Sequence, residues 1–286
     1  MSYKIVTDTC CDLSEQMYKD LDLSVVALNV TIKGETINQY TEERLKNIYN
    51  ALREKEHATT AAANPKDWED VIVPILEQGE DALVLAFSSG LSTTYQSAVI
   101  AAEELMERYP GRTVKVVDTL CASMGQGLFV YYACKKQEAG FSLEDLTAWC
   151  EENKLHIAHW VTVDDLFHLK RGGRVSAATA VAGTMLQIKP IIHVDNEGRL
   201  INVGKARGRK AALQTLAKKM VETQIVGAND TIFISHGDCI EDAEALAEMV
   251  KEMCGVKEVI IHYIGAVIGS HAGPGTVALF FMANER

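Results

Sequence analysis

No apolar run in the 286-residue chain approaches the roughly 18 residues that a membrane-spanning helix needs; the best is the short stretch from Val277 to Ala283. Cysteine is present in an unhelpful form: the count of 7 is odd, Cys10 and Cys11 are adjacent, and no Cys-x-x-Cys pair occurs. That pattern fits neither a disulfide framework nor a zinc site, so the thiols are expected to be reduced and mostly buried. Basic residues are outnumbered, 28 against 39 acidic ones, for a net charge of -11. General affinity for nucleic acid or anionic lipid headgroups is thereby excluded, although local basic patches remain. Proline is rare at 5 residues and glycine follows no period, which removes collagen-like readings. The start, Met1 to Asp8, lacks both an apolar core and a small-residue cleavage site, so no secretory signal and a cytoplasmic location are expected.

A hydrophobic share of 48% with 23% charged residues describes a globular protein. At about 150 residues per domain, the length predicts two domains. Apolar β-rich runs alternate with amphipathic segments in the first half, the pattern of an α/β fold with a parallel sheet. Strands are predicted at Tyr3 to Thr7, Leu23 to Ile32, Ala82 to Phe87 and Thr113 to Val117. Helices are predicted near Ser14 to Leu21, Thr41 to Lys55, Tyr95 to Arg108, Met124 to Glu138 and Leu143 to Asn153, with a further start at Asn64-Pro65. Asp12 and Glu15 stand at capping-box spacing. From Ile157 the strands crowd and look mixed, and Asp195 to Gly198 reads as a hairpin turn. The expected organisation is an N-terminal parallel α/β domain, 1–154, and a C-terminal mixed-sheet α/β domain, 155–286.

Three segments carry chemistry. Ser88 to Thr94 follows a strand and opens a helix, so its hydroxyls and amides suit an anion; equally, Ser92 or Thr93 caps that helix. The loop lacks the Gly-Lys-Ser/Thr of a phosphate-binding loop and the Gly-x-Ser-x-Gly of a nucleophile elbow. Thr59-Thr60 precede a second helix start, and two hydroxyl-rich entries of one domain converge naturally at the carboxyl edge of a parallel sheet. Gly265 to Gly275, with four glycines, a proline and His271, reads as a shaped loop suited to close approach of a ligand. Arg174 and Arg207 stand in basic runs that either face solvent or frame a carboxylate or phosphate. His159, His168, His193, His236 and His262 are assigned to packing or surface, no metal site or cofactor is expected, and the Gly125-Gln126-Gly127 pair is discounted as a dinucleotide fingerprint.

Taken in order, Asp8-Thr9-Cys10-Cys11-Asp12-Leu13, Ser88 to Tyr95, Val117-Asp118-Thr119 through Gly125, Leu169 to Ser176, Lys189-Pro190 and His271-Ala272-Gly273-Pro274-Gly275 resemble the motifs of the DegV family of bacterial fatty-acid-binding proteins. The resemblance implies a two-domain α/β fold that binds a long-chain fatty acid at an interdomain cleft without catalysing a reaction. It implies that Thr60 and Ser92 hold the carboxylate, with His271 and Arg207 in support, and that Arg174, Ser89 and Thr93 face the head group or a partner. It further implies a separate fatty acid kinase as partner and a place in phospholipid metabolism; the apolar, Ala-rich stretch Val175 to Ile188 either lines the acyl tunnel or is ordinary core. Two departures from the family pattern are Ala61-Ala62-Ala63-Asn64 in place of Ser-Gln-Pro-Ser, and Thr93 in place of glycine. The competing expectation is an acyl hydrolase or transferase with Ser92 as nucleophile and His271 as base. A weaker third is a sugar- or triose-kinase-like binding subunit.

Overall fold

The protein was analysed as a computed structural model, which describes residues 2–38, 41–174 and 187–286. Strands β1 (Tyr3–Asp8), β2 (Ser24–Val26), β6 (Asp81–Ala86) and β7 (Val114–Asp118) form a sheet in the order β2-β1-β6-β7. Every neighbour in it is parallel. Parallel sheets are covered on both faces, and β6 is buried along its whole length. Helices α3 (Pro65–Glu77) and α4 (Thr94–Arg108) cover one face, and α5 (Met124–Glu138) and α6 (Leu143–Asn153) the other.

The second sheet runs β10-β9-β8-β13-β11-β12 and is mixed: β11 (Thr231–His236) and β12 (Glu258–Tyr263) are parallel, and the other pairs are antiparallel. Its remaining strands are β8 (Ile157–Thr162), β9 (Ile188–Val194), β10 (Leu200–Arg207) and β13 (Val277–Met282). Helices α8 (Arg209–Thr223) and α9 (Ile240–Cys254) cover its outer face, and α5 packs on its inner face against Phe233 and Phe280. Helix α5 is therefore wedged between the two sheets. Gly125 in its first turn permits this, since a Cβ there would collide with the His159 ring and stand 2.7 Å from Phe280; a Cβ at Gly127 would stand 2.6 Å from the Cys11 carbonyl. Gly125 thus serves contact with the mixed sheet, and Gly127 contact with the turn at Cys11 and Leu13.

Several local expectations change. Leu23 to Ile32 is two strands, β2 in the parallel sheet and β3 (Asn29–Ile32) in a small antiparallel sheet with β4 (Glu35–Ile37) and β5 (Ala58–Ala61). Burial at Val26, Leu28, Val30 and Ile32 keeps period two across the break, so periodicity conceals it. The cap of α1 (Glu15–Asp20) is Ser14, which accepts from the Met17 amide at 3.2 Å. Asp12 instead adopts a left-handed backbone, φ 53°, and turns inward. The Asn64 start of α3 holds, with a reciprocal capping box to Asp67. Thr59 and Thr60, however, lie in β5 rather than in a helix entry.

Candidate functional site

The hydroxyl-rich segment leaves the carboxyl end of β6 and is fixed by two carboxylates. Asp8 accepts from the Phe87 amide at 2.8 Å, and Asp118 from the Ser89 amide at 3.1 Å. Burial pushes the Asp8 carboxyl up to about 6, against the lowering effect of the amides that it accepts. Across from the segment sits the β9–β10 hairpin. Ser88 Oγ donates to the Gly198 carbonyl at 2.9 Å, and a Cβ at Gly90 would lie 2.9 Å from that same carbonyl oxygen. Both glycines are needed for the loop and hairpin to touch.

Within the segment, Thr93 makes no side-chain cap, while Ser92 Oγ accepts from the Thr94 amide at 3.2 Å and shares a hydrogen bond with Thr94 Oγ1 at 2.8 Å. The capping reading thus applies to Ser92 and not to Thr93. With Thr94 Oγ1 as donor in the shared bond, the Ser92 O–H stays free to donate to a ligand such as a carboxylate.

The glycine-rich stretch is not a loop. It holds the short helix α10 (Ala266–Ala272), with His271 in its last turn. Its glycines admit neighbouring side chains: Asp12 abuts Gly265, the Tyr49 ring and hydroxyl lie against Gly269, and His168 lies against Gly273. Tyr49, from α2 (Glu42–Arg53), also donates to the Ile264 carbonyl at 2.8 Å. Seated in this way, α10 brings His271 Nε2 to 2.8 Å from Thr60 Oγ1 on β5. Residues separated by 211 positions thereby meet. Burial, then the Arg174 and Arg171 charges, push the His271 imidazole down to about 4, so it is neutral around pH 7.

Thr60, Ser89, Ser92, Thr93, Gln96, Arg174 and His271 line a cavity of about 440 Å³. The rest of its described wall is mainly apolar, including Leu28, Phe87, Val161, Val163, Ile192, Leu200, Val267 and Phe280. Arg174 is exposed and donates to the Gly172 carbonyl at 2.6 Å and the Leu91 carbonyl at 3.4 Å. Arg207 is not brought to this wall. It occupies the last, exposed position of the edge strand β10, opposite Ile188. Residues 175–186, most of the stretch expected to line a tunnel, lie outside the described residues.

Sequence reading missed Gln96, Ser123 and His159 as wall residues. His159 is buried and accepts from the Ala122 amide at 3.2 Å, so its assignment to packing is half the account. Period-two alternation with Val161 and Val163 along β8 was the available signal. No hydrogen bond joins Ser92 to His271, whose Nε2 is given to Thr60. Among the described residues, no group of three or more His, Cys, Asp or Glu side chains is placed to hold a metal ion.

The model of the family described as "Uncharacterised protein, DegV family" matches residues 2–284. The chain belongs to the DegV family. A DegV domain-containing protein of Clostridium perfringens is 46% identical to it over 287 aligned positions, covering 99% of this chain and 98% of that one. Among solved structures, a DegV family protein from Thermus thermophilus, described by its fatty acid binding, superposes with a TM-score of 0.88 at 34% identity, covering 99% of this chain and 100% of the other. A DegV lipid-binding protein from Thermotoga maritima gives a TM-score of 0.88 at 29% identity, with 100% of each chain covered. The DegV architecture of a parallel sheet beside a mixed sheet is therefore that of this chain. No helix among its described residues is long and apolar enough to cross a membrane.

Proposed function

We propose that the protein binds a long-chain fatty acid between an N-terminal unit, 1–154, and a C-terminal unit, 155–286. Thr60, Ser92 and His271 meet the carboxylate, Arg174, Ser89 and Thr93 surround it, and the acyl chain occupies the apolar cavity. The observation that carries this reading is the Thr60–His271 pair, at 2.8 Å, in the wall of a cavity that is otherwise mainly apolar. A volume of about 440 Å³ falls within the range of roughly 300–1,000 Å³ usual for small-molecule sites. Burying about fifteen methylenes at about 0.8 kcal/mol each yields a gross gain near 12 kcal/mol, before the costs of association reduce it. The carboxylate alone opposes that burial, so it must meet donors. The fatty acid binding of the Thermus thermophilus relative supports the same ligand class.

The role is that of a carrier rather than an enzyme. The Ser92 hydroxyl is hydrogen-bonded to Thr94, and His271, an imidazole of the same wall, is bonded to Thr60 rather than to Ser92. The carrier presents its acid to a separate ATP-dependent fatty acid kinase, which forms the acyl-phosphate on the bound ligand. Mass spectrometry of ligand released from denatured protein is the test. An intact free fatty acid is expected, whereas an acyl adduct retained on Ser92 would establish covalent catalysis instead. For the partner, conversion of the bound acid to acyl-phosphate by kinase and ATP is expected, and an unmodified acid would refute presentation.

A further inference from the structure

We infer that Arg286 is a positioning residue for the fatty-acid cavity: its guanidinium clasps the loop after β7, the start of β8 and the β9–β10 hairpin together, and the bound acid is retained while that clasp holds. The inference rests on the fatty-acid reading above and deepens it by naming what keeps the cavity closed.

Arg286 is half-buried, and its whole fork of N–H donors is engaged inside the protein. Nε donates to the Ile157 carbonyl at 3.1 Å, and Nη1 to the carbonyls of Leu120 at 2.7 Å and Asp195 at 3.3 Å. Nη2 donates to the Lys154 carbonyl at 2.7 Å and to the Cys121 sulfur at 3.1 Å. No carboxylate is among these partners, and burial pushes the Cys121 thiol up to about 11, so it is a neutral acceptor around pH 7. A planar fork suits such a junction better than a point charge, because one group reaches acceptors on several sides. Apart from Lys154, each acceptor stands one or two residues from the cavity wall: Leu120 and Cys121 precede Ala122, Ile157 precedes His159, and Asp195 follows Val194.

The hairpin is the segment with most to lose. Pairing of β9 with β8 stops at His193, and β10 is an edge strand, so the tip from Asp195 to Arg199 has no strand beside it. Among the described residues, two side-chain hydrogen bonds reach this tip from outside the hairpin: Ser88 Oγ to the Gly198 carbonyl and Arg286 to the Asp195 carbonyl. A tip that lifts away uncovers the cavity beside Val194 and Leu200 and withdraws the carbonyl on which the Ser88 to Ser92 segment leans. The Arg286 charge has a second effect. Together with burial, which is the larger cause, it holds the His159 imidazole well below its ordinary value, so this part of the wall stays uncharged.

The test is stopped-flow dissociation of cis-parinaric acid, a fluorescent long-chain acid, from the full chain into excess albumin. Wild type is compared with Arg286→Ala, Arg286→Lys and Tyr132→Phe, and the Tm of each is recorded. Tyr132 donates to the Ala228 and Thr231 carbonyls and does not line the cavity, so its variant loses hydrogen bonds without touching the clasp. Loss of a charge-assisted bond at the tip raises the lifted population about tenfold or more, and dissociation from Arg286→Ala is expected to quicken by the same factor. Tyr132→Phe is expected to release the acid at the wild-type rate. Arg286→Lys should also dissociate faster, because one ammonium cannot reach all three segments. A wild-type rate in whichever Arg286 variant folds overturns the inference while leaving the fatty-acid reading intact. So does a Tyr132→Phe rate raised as much as that of Arg286→Ala at a similar loss of Tm, since the effect is then general loosening. Absence of any cis-parinaric acid binding by the wild type defeats the fatty-acid reading itself.

Discussion

Replacing Asp12 with asparagine should remove a pH dependence that the native fold builds in. The side chain is buried, with one oxygen accepting from Ser123 Oγ at 2.5 Å and the other lying against Gly265; both contacts favour the ionised form and are outweighed by burial. Burial therefore pushes its carboxyl from the ordinary 3.8 up to about 8, with the nearby Asp8 charge acting in the same direction. An unfolded chain gives up this proton near pH 4, whereas the folded one keeps it until about pH 8. Between those values the native state binds more protons, so its stability falls as pH rises and levels off above the folded value. The gap between 3.8 and about 8, at about 1.36 kcal/mol for each tenfold change in proton affinity, gives on the order of 5 kcal/mol as the full loss. Asparagine matches the neutral acid in shape and can still accept from Ser123. Urea unfolding at pH 5 and pH 8 should show wild-type stability dropping by several kcal/mol and Asp12→Asn dropping by much less. Equal slopes in the two proteins would show that Asp12 ionises freely in the fold and that its burial has been misjudged.

Two substitutions test the packing around the site. Gly125→Ala drives a methyl into the His159 ring and to 2.7 Å from Phe280, an overpacking expected to cost about 1–3 kcal/mol or more, read as a lowered Tm; an unchanged Tm would mean that α5 has room to move. Tyr49→Phe leaves the Ile264 carbonyl without its donor and should cost about 1–2 kcal/mol in denaturant unfolding. A cost near zero would show that water replaces the hydroxyl there.

Helices whose ends are marked by local chemistry were legible to the residue: α5 and α6 occupy Met124–Glu138 and Leu143–Asn153 as their patterns indicate, and Ser142 caps the latter. The β2–β3 break was not, because every second residue stays buried on both sides of it. At the site, hydroxyl-bearing residues announced the Ser88 to Thr94 segment, but the meeting of Thr60 with His271 depends on where β5 and α10 pack. The glycines of Gly265 to Gly275 were readable as positions of close approach. What approaches them, Asp12, Tyr49 and His168, comes from three distant segments, and one-dimensional spacing carries no such information. Arg207 illustrates the converse: its motif was clear, yet strand geometry leaves it at an exposed sheet edge.

The position of α5 bears on how the molecule comes apart. One side of this helix completes the core beneath the parallel sheet, through residues such as Ile5, Leu83 and Leu85, and the same cluster continues into Phe233, Ala278 and Phe280 of the mixed sheet. Severing the chain after residue 154 would leave α5 with the first half and bare the apolar surface on which the second sheet rests. The two halves share one interior across that helix, so loss of either exposes the other to aggregation, and the chain is built to melt as a single cooperative unit rather than as two independent ones.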